Sequence, residues 1–162
     1  MTPAARWKPV VAAALAAMAV AGLGALTTDI GTWYFHLRKP PWQPPDWLFG
    51  PAWTLIFALA ALAGVLYWRS GARREERSWV LAAFALNGFL NTLWSLLFFR
   101  LRRPDWALYE VSFLWLSIAL LIVLLGRRSH NSAWLLLPYL LWVSFASYLN
   151  WTIVRLNGSF AA

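Results

Sequence analysis

Hydrophobic residues are arranged along the chain in five long apolar stretches, and most of the charged residues fall in the short segments between them. Each stretch is close to the about 20 residues that an α-helix needs to cross a bilayer. A segment in lipid must satisfy its backbone hydrogen bonds internally, which favours helices. The pattern predicts an all-α membrane protein, a bundle of five transmembrane helices forming a single transmembrane domain over residues 1–162. The predicted helices cover residues 9–28, 47–68, 79–99, 106–126 and 133–156.

Composition agrees with this pattern. Hydrophobic residues make up 61% of the chain and charged residues only 12%, against about 25% charged residues in ordinary soluble domains. The net charge is +8, but the arginines flank the apolar stretches and form no basic face. That placement is typical of topology signals and of contact with anionic headgroups. We therefore expect membrane lipid and no nucleic acid as a partner. Eight basic residues on one side against six on the other leave the orientation open.

The first apolar stretch permits two interpretations. Arg6 and Lys8 precede an alanine-rich run that reaches Ala21, as in a secretory signal with a small-residue cleavage site. The apolar run continues to Thr28, however, and this length suits a transmembrane span better. We favour a retained first helix.

The segment between the first two helices, residues 29–46, is called loop one here. It contains four prolines interleaved with aromatic residues. Proline fixes φ and removes a backbone donor, so we expect a stiff, extended loop without helix. Aromatic side chains on such a loop predict a lid over the helix ends; the alternative is that they only sit at the membrane interface.

The chain has 13 tryptophans. Several mark the ends of the spans, as in the aromatic belt of membrane proteins, but others lie inside them. In-span aromatic and polar residues recur at helical spacing on the side of loop one. Such asparagines can simply join helices by hydrogen bonds, but with the tryptophans they predict an aromatic pocket that opens toward loop one. The two stripes are Asn87, Asn91, Trp94 and Phe98 on the third helix, and Tyr139, Trp142, Ala146 and Asn150 on the fifth.

Few ionisable residues lie inside the spans. Glu110 is one, and such a carboxylate usually faces the bundle interior; we expect it to pair with an arginine of the segment 100–103 or to reach the headgroups. The chain has no cysteine, and His36 and His130 fall in loops on opposite faces. We therefore expect no metal site and no cofactor.

Three groups of motifs carry a family resemblance. In this order and spacing they resemble the motifs of the TspO/translocator protein family, also called tryptophan-rich sensory proteins or peripheral-type benzodiazepine receptors. Within that family the chain resembles a bacterial member. The first group is Trp33-Tyr34, Leu37, Lys39-Pro40, Trp42, Pro44-Pro45, Trp47 and Trp53; the second is Asn91, Trp94-Ser95 and Phe98-Phe99; the third is Pro138-Tyr139-Leu140, Trp142, Phe145-Ala146, Leu149-Asn150 and Leu156-Asn157.

The resemblance implies a sensory or translocator protein of a bacterial membrane, often a homodimer. It would bind tetrapyrroles such as protoporphyrin IX, and benzodiazepine or isoquinoline-type ligands. By matched position the ligand-binding residues would be Trp33, Tyr34, Trp53, Asn87, Trp142 and Ala146, to which the stripes add Asn91 and Asn150. Arg38 and Lys39 are candidates to meet the porphyrin propionates.

Two other functions follow from the same resemblance. The first is light-dependent porphyrin degradation, in which Trp53 and Trp142 would be the catalytic residues. The second is transport of tetrapyrroles or sterols, although the sequence shows no inverted repeat. The sterol motif of animal members is also not intact, because Trp151 stands where that motif has tyrosine ahead of Arg155. Whether the protein is an enzyme stays open at this point.

Overall fold

The computed structural model describes residues 3–158 and 160, and only the backbone of residues 3–6. Within this part of the chain there are seven α-helices and no strand. A 3₁₀ turn, Asp46–Leu48, precedes α3, and a π-helical turn, Leu96–Arg100, continues α4. The helices are α1 (Pro3–Thr27), α2 (Thr32–His36), α3 (Phe49–Arg69), α4 (Arg74–Ser95), α5 (Pro104–Gly126), α6 (His130–Trp134) and α7 (Leu137–Asn157).

Five helical segments are long and apolar enough to cross a membrane. They correspond to the five predicted stretches and confirm the all-α bundle of a multi-pass integral membrane protein. The segments are Trp7–Thr27, Asp46–Arg69, Arg74–Arg100, Pro104–Gly126 and His130–Asn157.

One local prediction was wrong. Loop one is not free of helix, because Thr32–His36 forms α2. The prolines of the loop begin only at position 40, so this short stretch keeps all its backbone donors. The fifth span is present as His130–Asn157, but it contains a break. It is divided into α6 and α7 by a turn at residues 135–136, just before Pro138, which has no backbone N–H to give to a continuing helix.

Helix α5 packs against α4, α6 and α7, while α1 packs against α3 and α4. None of the described side chains of α1 is buried. One close approach is at Gly88 of α4, where an added Cβ would lie 2.9 Å from Cγ2 of Val20. A larger residue at position 88 would therefore require the Val20 side chain or the helices to shift.

The end of the bundle away from loop one, called the packed half here, has a close-packed interior. Alanines alternate with larger residues there, and several side chains have no exposed surface at all. The cluster consists of Ala63, Tyr67, Ala72, Val80, Ala83, Leu121, Leu125 and Leu136.

The π-helical turn lies at the opposite end of α4. The N–H of Leu101 donates to the Leu96 carbonyl at 2.9 Å, five residues back instead of four. Within this turn, Phe98 is buried and its ring packs against Phe99 with 4.8 Å between centroids. The turn therefore places two neighbouring aromatic rings beneath loop one.

Candidate functional site

A cavity of about 590 Å³ lies beneath loop one, between α1, α3, α4 and α7. This volume is within the range of about 300–1,000 Å³ that small-molecule sites occupy. Aromatic side chains form most of the wall on α3, α4 and α7, including Trp53, Trp94 and Trp142. The opposite wall is formed by small residues of α1, among them Gly24 and Ala25. We call the end of the bundle that contains this cavity the cavity half.

Trp47 also lines the cavity, and the other three wall tryptophans are held by aromatic neighbours. Trp53 stacks on Phe57 with 5.4 Å between ring centroids, and Trp94 stacks on Phe98 at 5.2 Å. The ring of Trp142 meets that of Phe49 edge-on at 5.6 Å. Offset and edge-on contacts of this kind stabilise aromatic pairs beyond their buried area. The walls are therefore built to present fixed, flat apolar surfaces.

Two of these indoles also carry unused hydrogen-bond donors. The Nε1 atoms of Trp94 and Trp142 are buried and have no hydrogen-bond partner among the described residues. A buried tryptophan N–H usually finds a partner. Both N–H groups are buried among packed side chains, so the indoles contribute mainly apolar faces to the wall.

Loop one is fastened to α7 at two points. The side-chain Oδ1 of Asn157 accepts from the Arg38 N–H at 2.8 Å, and its Nδ2 donates to the Arg38 carbonyl at 2.9 Å. Further along, the Trp42 ring stacks on Tyr148 with 5.2 Å between centroids and 16° between planes. Asn157 therefore pairs with the loop backbone as a neighbouring strand would. We call the Asn157–Arg38 pairing and the Trp42–Tyr148 stack together the α7 clamp.

A second set of contacts lies within loop one and ties its earlier part to Asp46, the first residue of the 3₁₀ turn that leads into α3. The hydroxyl of Tyr34 donates to Asp46 Oδ1 at 2.8 Å, and Gln43 Nε2 donates to the same oxygen at 3.0 Å. Burial, followed by the hydrogen bond to Asp46, raises the pKa of Tyr34, so the hydroxyl stays protonated as a donor. Lys39 Nζ lies 3.5 Å from the centroid of the Tyr34 ring and 4.0 Å from Asp46 Oδ2. Burial lowers the pKa of Lys39, and Asp46 opposes that shift.

The structure brings together six of the eight predicted ligand-binding residues. The other two lie outside the described lining: Trp33 packs edge-on against Phe98 at 6.2 Å, and Asn87 lies deeper in the bundle. Contact of any of the eight with a ligand stays a prediction. Those that line the cavity are Tyr34, Trp53, Asn91, Trp142, Ala146 and Asn150.

Asn87 belongs to a buried hydrogen-bond network that joins three helices. Its Nδ2 donates to Ser117 Oγ at 2.9 Å, and its Oδ1 accepts from the Tyr139 hydroxyl at 3.1 Å. The Tyr139 oxygen in turn accepts from Asn91 Nδ2 at 3.2 Å. The network thus reaches the cavity wall at Asn91 and holds α4, α5 and α7 in register.

Two polar residues near the cavity differ in how they are satisfied. With its amide nitrogen toward α5, Asn150 donates to the Pro104 carbonyl at 3.1 Å and accepts from the Leu108 N–H at 3.2 Å. Glu110 is buried, but neither carboxylate oxygen has a hydrogen-bond partner among the described residues. The expected pairing of Glu110 with an arginine was wrong, because Arg103 binds Asp105 instead, with Nε at 2.8 Å from Oδ1.

Sequence reasoning missed part of the lining. Gln43 and Asp46 both line the cavity, as do small residues of α1. The signal for Asp46 was its place between the proline pair and the first turn of α3. The α1 residues carry no comparable signal, because alanine and glycine are common on any face of a membrane helix.

Comparison with known proteins agrees with this arrangement. Residues 10–156 match the model of the TspO/MBR family. The chain is 43% identical over 134 residues to the tryptophan-rich protein TspO of Chlorobaculum tepidum, covering 81% of this chain and 84% of that one. It is 42% identical to the TspO of Archaeoglobus fulgidus, covering 91% and 95%. The bovine translocator protein is 32% identical, covering 93% and 91%. With one apolar bundle, one tryptophan-walled cavity and relatives that match most of its length, the chain belongs to the TspO/MBR family.

Proposed function

We propose that this membrane protein binds porphyrins, protoporphyrin IX among them, and benzodiazepine or isoquinoline-type ligands in the cavity beneath loop one. The observation that carries the proposal is the 590 Å³ cavity with four tryptophans in its wall. A flat macrocycle gains most from flat, electron-rich faces that are already held in place. Loop one acts as the lid of this cavity.

The test is a titration of the protein in lipid nanodiscs with protoporphyrin IX, followed by tryptophan fluorescence. We expect saturable quenching at micromolar or lower concentration, after correction for absorbance. Ala146→Phe, which fills part of the cavity, should weaken binding. Leu141→Phe is the matched control, because Leu141 is exposed on the outside of α7. Linear quenching in the wild type, equal to that of nanodiscs with added tryptophan ester, would contradict the proposal.

We further infer that the protein is a homodimer, as the family resemblance implies. Native mass spectrometry of the detergent-solubilised protein measures this directly, with a dimer as the expected mass. A monomer across a range of mild detergents would contradict it.

A second candidate function is light-dependent degradation of the bound porphyrin. The observation that favours it is the position of Trp53 and Trp142, which both line the cavity. The Trp53 ring also meets Tyr139 edge-on at 6.0 Å, so an oxidised indole has a second oxidisable ring close by. Phenylalanine keeps an aromatic face but is much harder to oxidise than indole.

Substitution separates the two functions. If the tryptophans transfer electrons, Trp53→Phe and Trp142→Phe should still bind porphyrin, while light-driven loss of its Soret band slows sharply. Trp115→Phe is the control, because Trp115 donates to Ser144 and lies outside the described lining. Bleaching that falls only in proportion to porphyrin occupancy would show that the protein binds porphyrin without degrading it.

A further inference from the structure

The cavity is uneven in charge. Asp46, at the loop-one end, is the single charged side chain among the described lining residues, which include no lysine, arginine or histidine. A ligand carboxylate inside the cavity would therefore meet no cation there and would have one anion near it. Uncompensated charge of this kind is costly in a site walled by apolar side chains.

The groups around Asp46 fix which atoms remain available. The Tyr34 hydrogen is committed to Asp46 Oδ1, so the Tyr34 oxygen can only accept from Gln43, whose Nε2 lies 3.3 Å away. This arrangement fixes the Gln43 amide with its nitrogen toward Tyr34 and Asp46. Its Oε1 is left as a buried acceptor with no partner among the described residues. Because Oε1 of Gln43 is buried, the acceptor that remains available to a ligand at this end of the cavity is the Asp46 carboxylate.

Lys39 does not cancel this acceptor character. Its Nζ lies 4.0 Å from Asp46 Oδ2, well beyond the about 2.8 Å of a charge-assisted hydrogen bond. It sits instead over the Tyr34 ring. Asp46 Oδ2 therefore retains room for a donor. Lys39, which the sequence suggested as a partner of the porphyrin propionates, interacts with the Tyr34 ring instead.

We propose that the loop-one end of the cavity is a hydrogen-bond acceptor subsite, formed by Asp46 and oriented by Tyr34 and Gln43, that takes a protonated nitrogen or an N–H donor of the ligand and disfavours a carboxylate. This inference rests on the proposed porphyrin-binding function and specifies its ligand class. A porphyrin then binds with its carboxylates directed away from Asp46, and an analogue that ends in amines binds better than one that ends in carboxylates.

The experiment compares three ligands that share one macrocycle. They are protoporphyrin IX, its neutral dimethyl ester, and its bis-amide carrying terminal dimethylamino groups. Each is titrated into nanodiscs of zwitterionic lipid that hold the wild type, Asp46→Asn or Asp29→Asn. Asp29→Asn is the matched control, because Asp29 is an exposed loop-one acid outside the described lining. Each ratio of variant to wild-type affinity refers to one ligand in one membrane, so differences in lipid partitioning cancel.

For Asp46→Asn we expect about a tenfold loss of affinity for the amine, no change for the ester and a gain for the dicarboxylate, with no effect of Asp29→Asn. An equal loss for all three ligands would assign Asp46 to holding the loop and overturn the acceptor subsite. If Asp46→Asn left the affinity for all three ligands unchanged, or if Asp29→Asn changed the three affinities in the same way as Asp46→Asn, the acceptor subsite would be overturned as well. In these cases porphyrin binding itself stands. If none of the three ligands binds the wild type saturably, the proposed function fails first.

Discussion

The two ends of the bundle are built from the same helices but are packed differently: one end is filled with side chains, and the other encloses a cavity. In the packed half, small residues such as Ala63 and Ala83 let the helices approach, and Leu121, Leu125 and Leu136 fill the remaining space completely. In the cavity half, large rings on α3, α4 and α7 stack on one another and leave an open volume between them. Close packing stabilises the first half, while bridging contacts must hold the second together.

Loop one supplies those bridging contacts. The backbones of α3 and α7 come close at few points. Loop one runs directly into α3 through the 3₁₀ turn, where Tyr34 holds Asp46, and it is fastened to α7 by the α7 clamp. The difference teaches that loop one also connects the helix ends at the cavity half. If loop one acts as the proposed lid, we expect opening to break these polar and aromatic contacts and to leave the packed half in place.

The largest expected effect compares a leucine from each half. Leu121→Ala should destabilise the protein by about 2–5 kcal/mol, because it leaves a new void in a filled core. Leu149→Ala should cost less, at the low end of that range, because Leu149 lines a cavity that is already open. Reversible unfolding in mixed detergent micelles measures both free energies. Equal losses would show that the two halves are packed alike.

An intermediate effect should follow from releasing the α7 clamp. Asn157→Ala removes two hydrogen bonds to the loop backbone, each worth about 1 kcal/mol. We expect bound porphyrin to dissociate roughly tenfold faster, with little change in global stability. Asn131→Ala is the control, because Asn131 is exposed at the other end of the bundle. A porphyrin dissociation rate unchanged by Asn157→Ala, measured by stopped-flow transfer to an acceptor protein, would mean that the clamp does not limit release.

The smallest effect concerns the stiffness of loop one. Replacing Pro44 and Pro45 together by glycine should leave helix content unchanged and weaken ligand retention a few-fold, because a flexible loop loses more entropy when it closes. The double alanine variant should fall between the two. Circular dichroism and dissociation rates test this prediction. Identical rates in all three proteins would reduce loop one to a connector.

Much of this architecture was readable from the sequence, because span length and apolar composition depend on the bilayer alone. The stripes on α4 and α7 also found the side of the bundle that holds the cavity. Rotations and distances between helices were not readable. Asn87 and Asn91 share a stripe, for example, and both bind Tyr139. Only Asn91 lines the cavity, because Asn87 lies one turn deeper, where its amide binds Ser117 of α5.

Local polar competition accounts for the remaining differences. Sequence proximity to three arginines suggested a partner for Glu110, yet Arg103 binds Asp105, two residues away at the start of α5. The helix in loop one was missed because the prolines dominated the pattern, although they begin only after α2 has ended. In both places the structure was decided by interactions within a few neighbouring residues, which composition does not encode.

The π-helical turn has a consequence for how this chain tolerates changes in length. One extra residue in a turn rotates every following side chain by about 100° relative to an uninterrupted α-helix. The side chains at positions 98 and 99, which face Trp33 and Tyr34 of loop one, owe their direction to that added residue. The turn accommodates one residue more than an ordinary α turn would, so deleting a single residue between Ser95 and Leu101 should let it close as regular α-helix and leave the following residues close to their present direction. Deleting a residue from the regular part of α4 should instead turn all the following side chains by about 100°. The cavity end of α4 therefore tolerates a one-residue deletion better than the middle of the helix does.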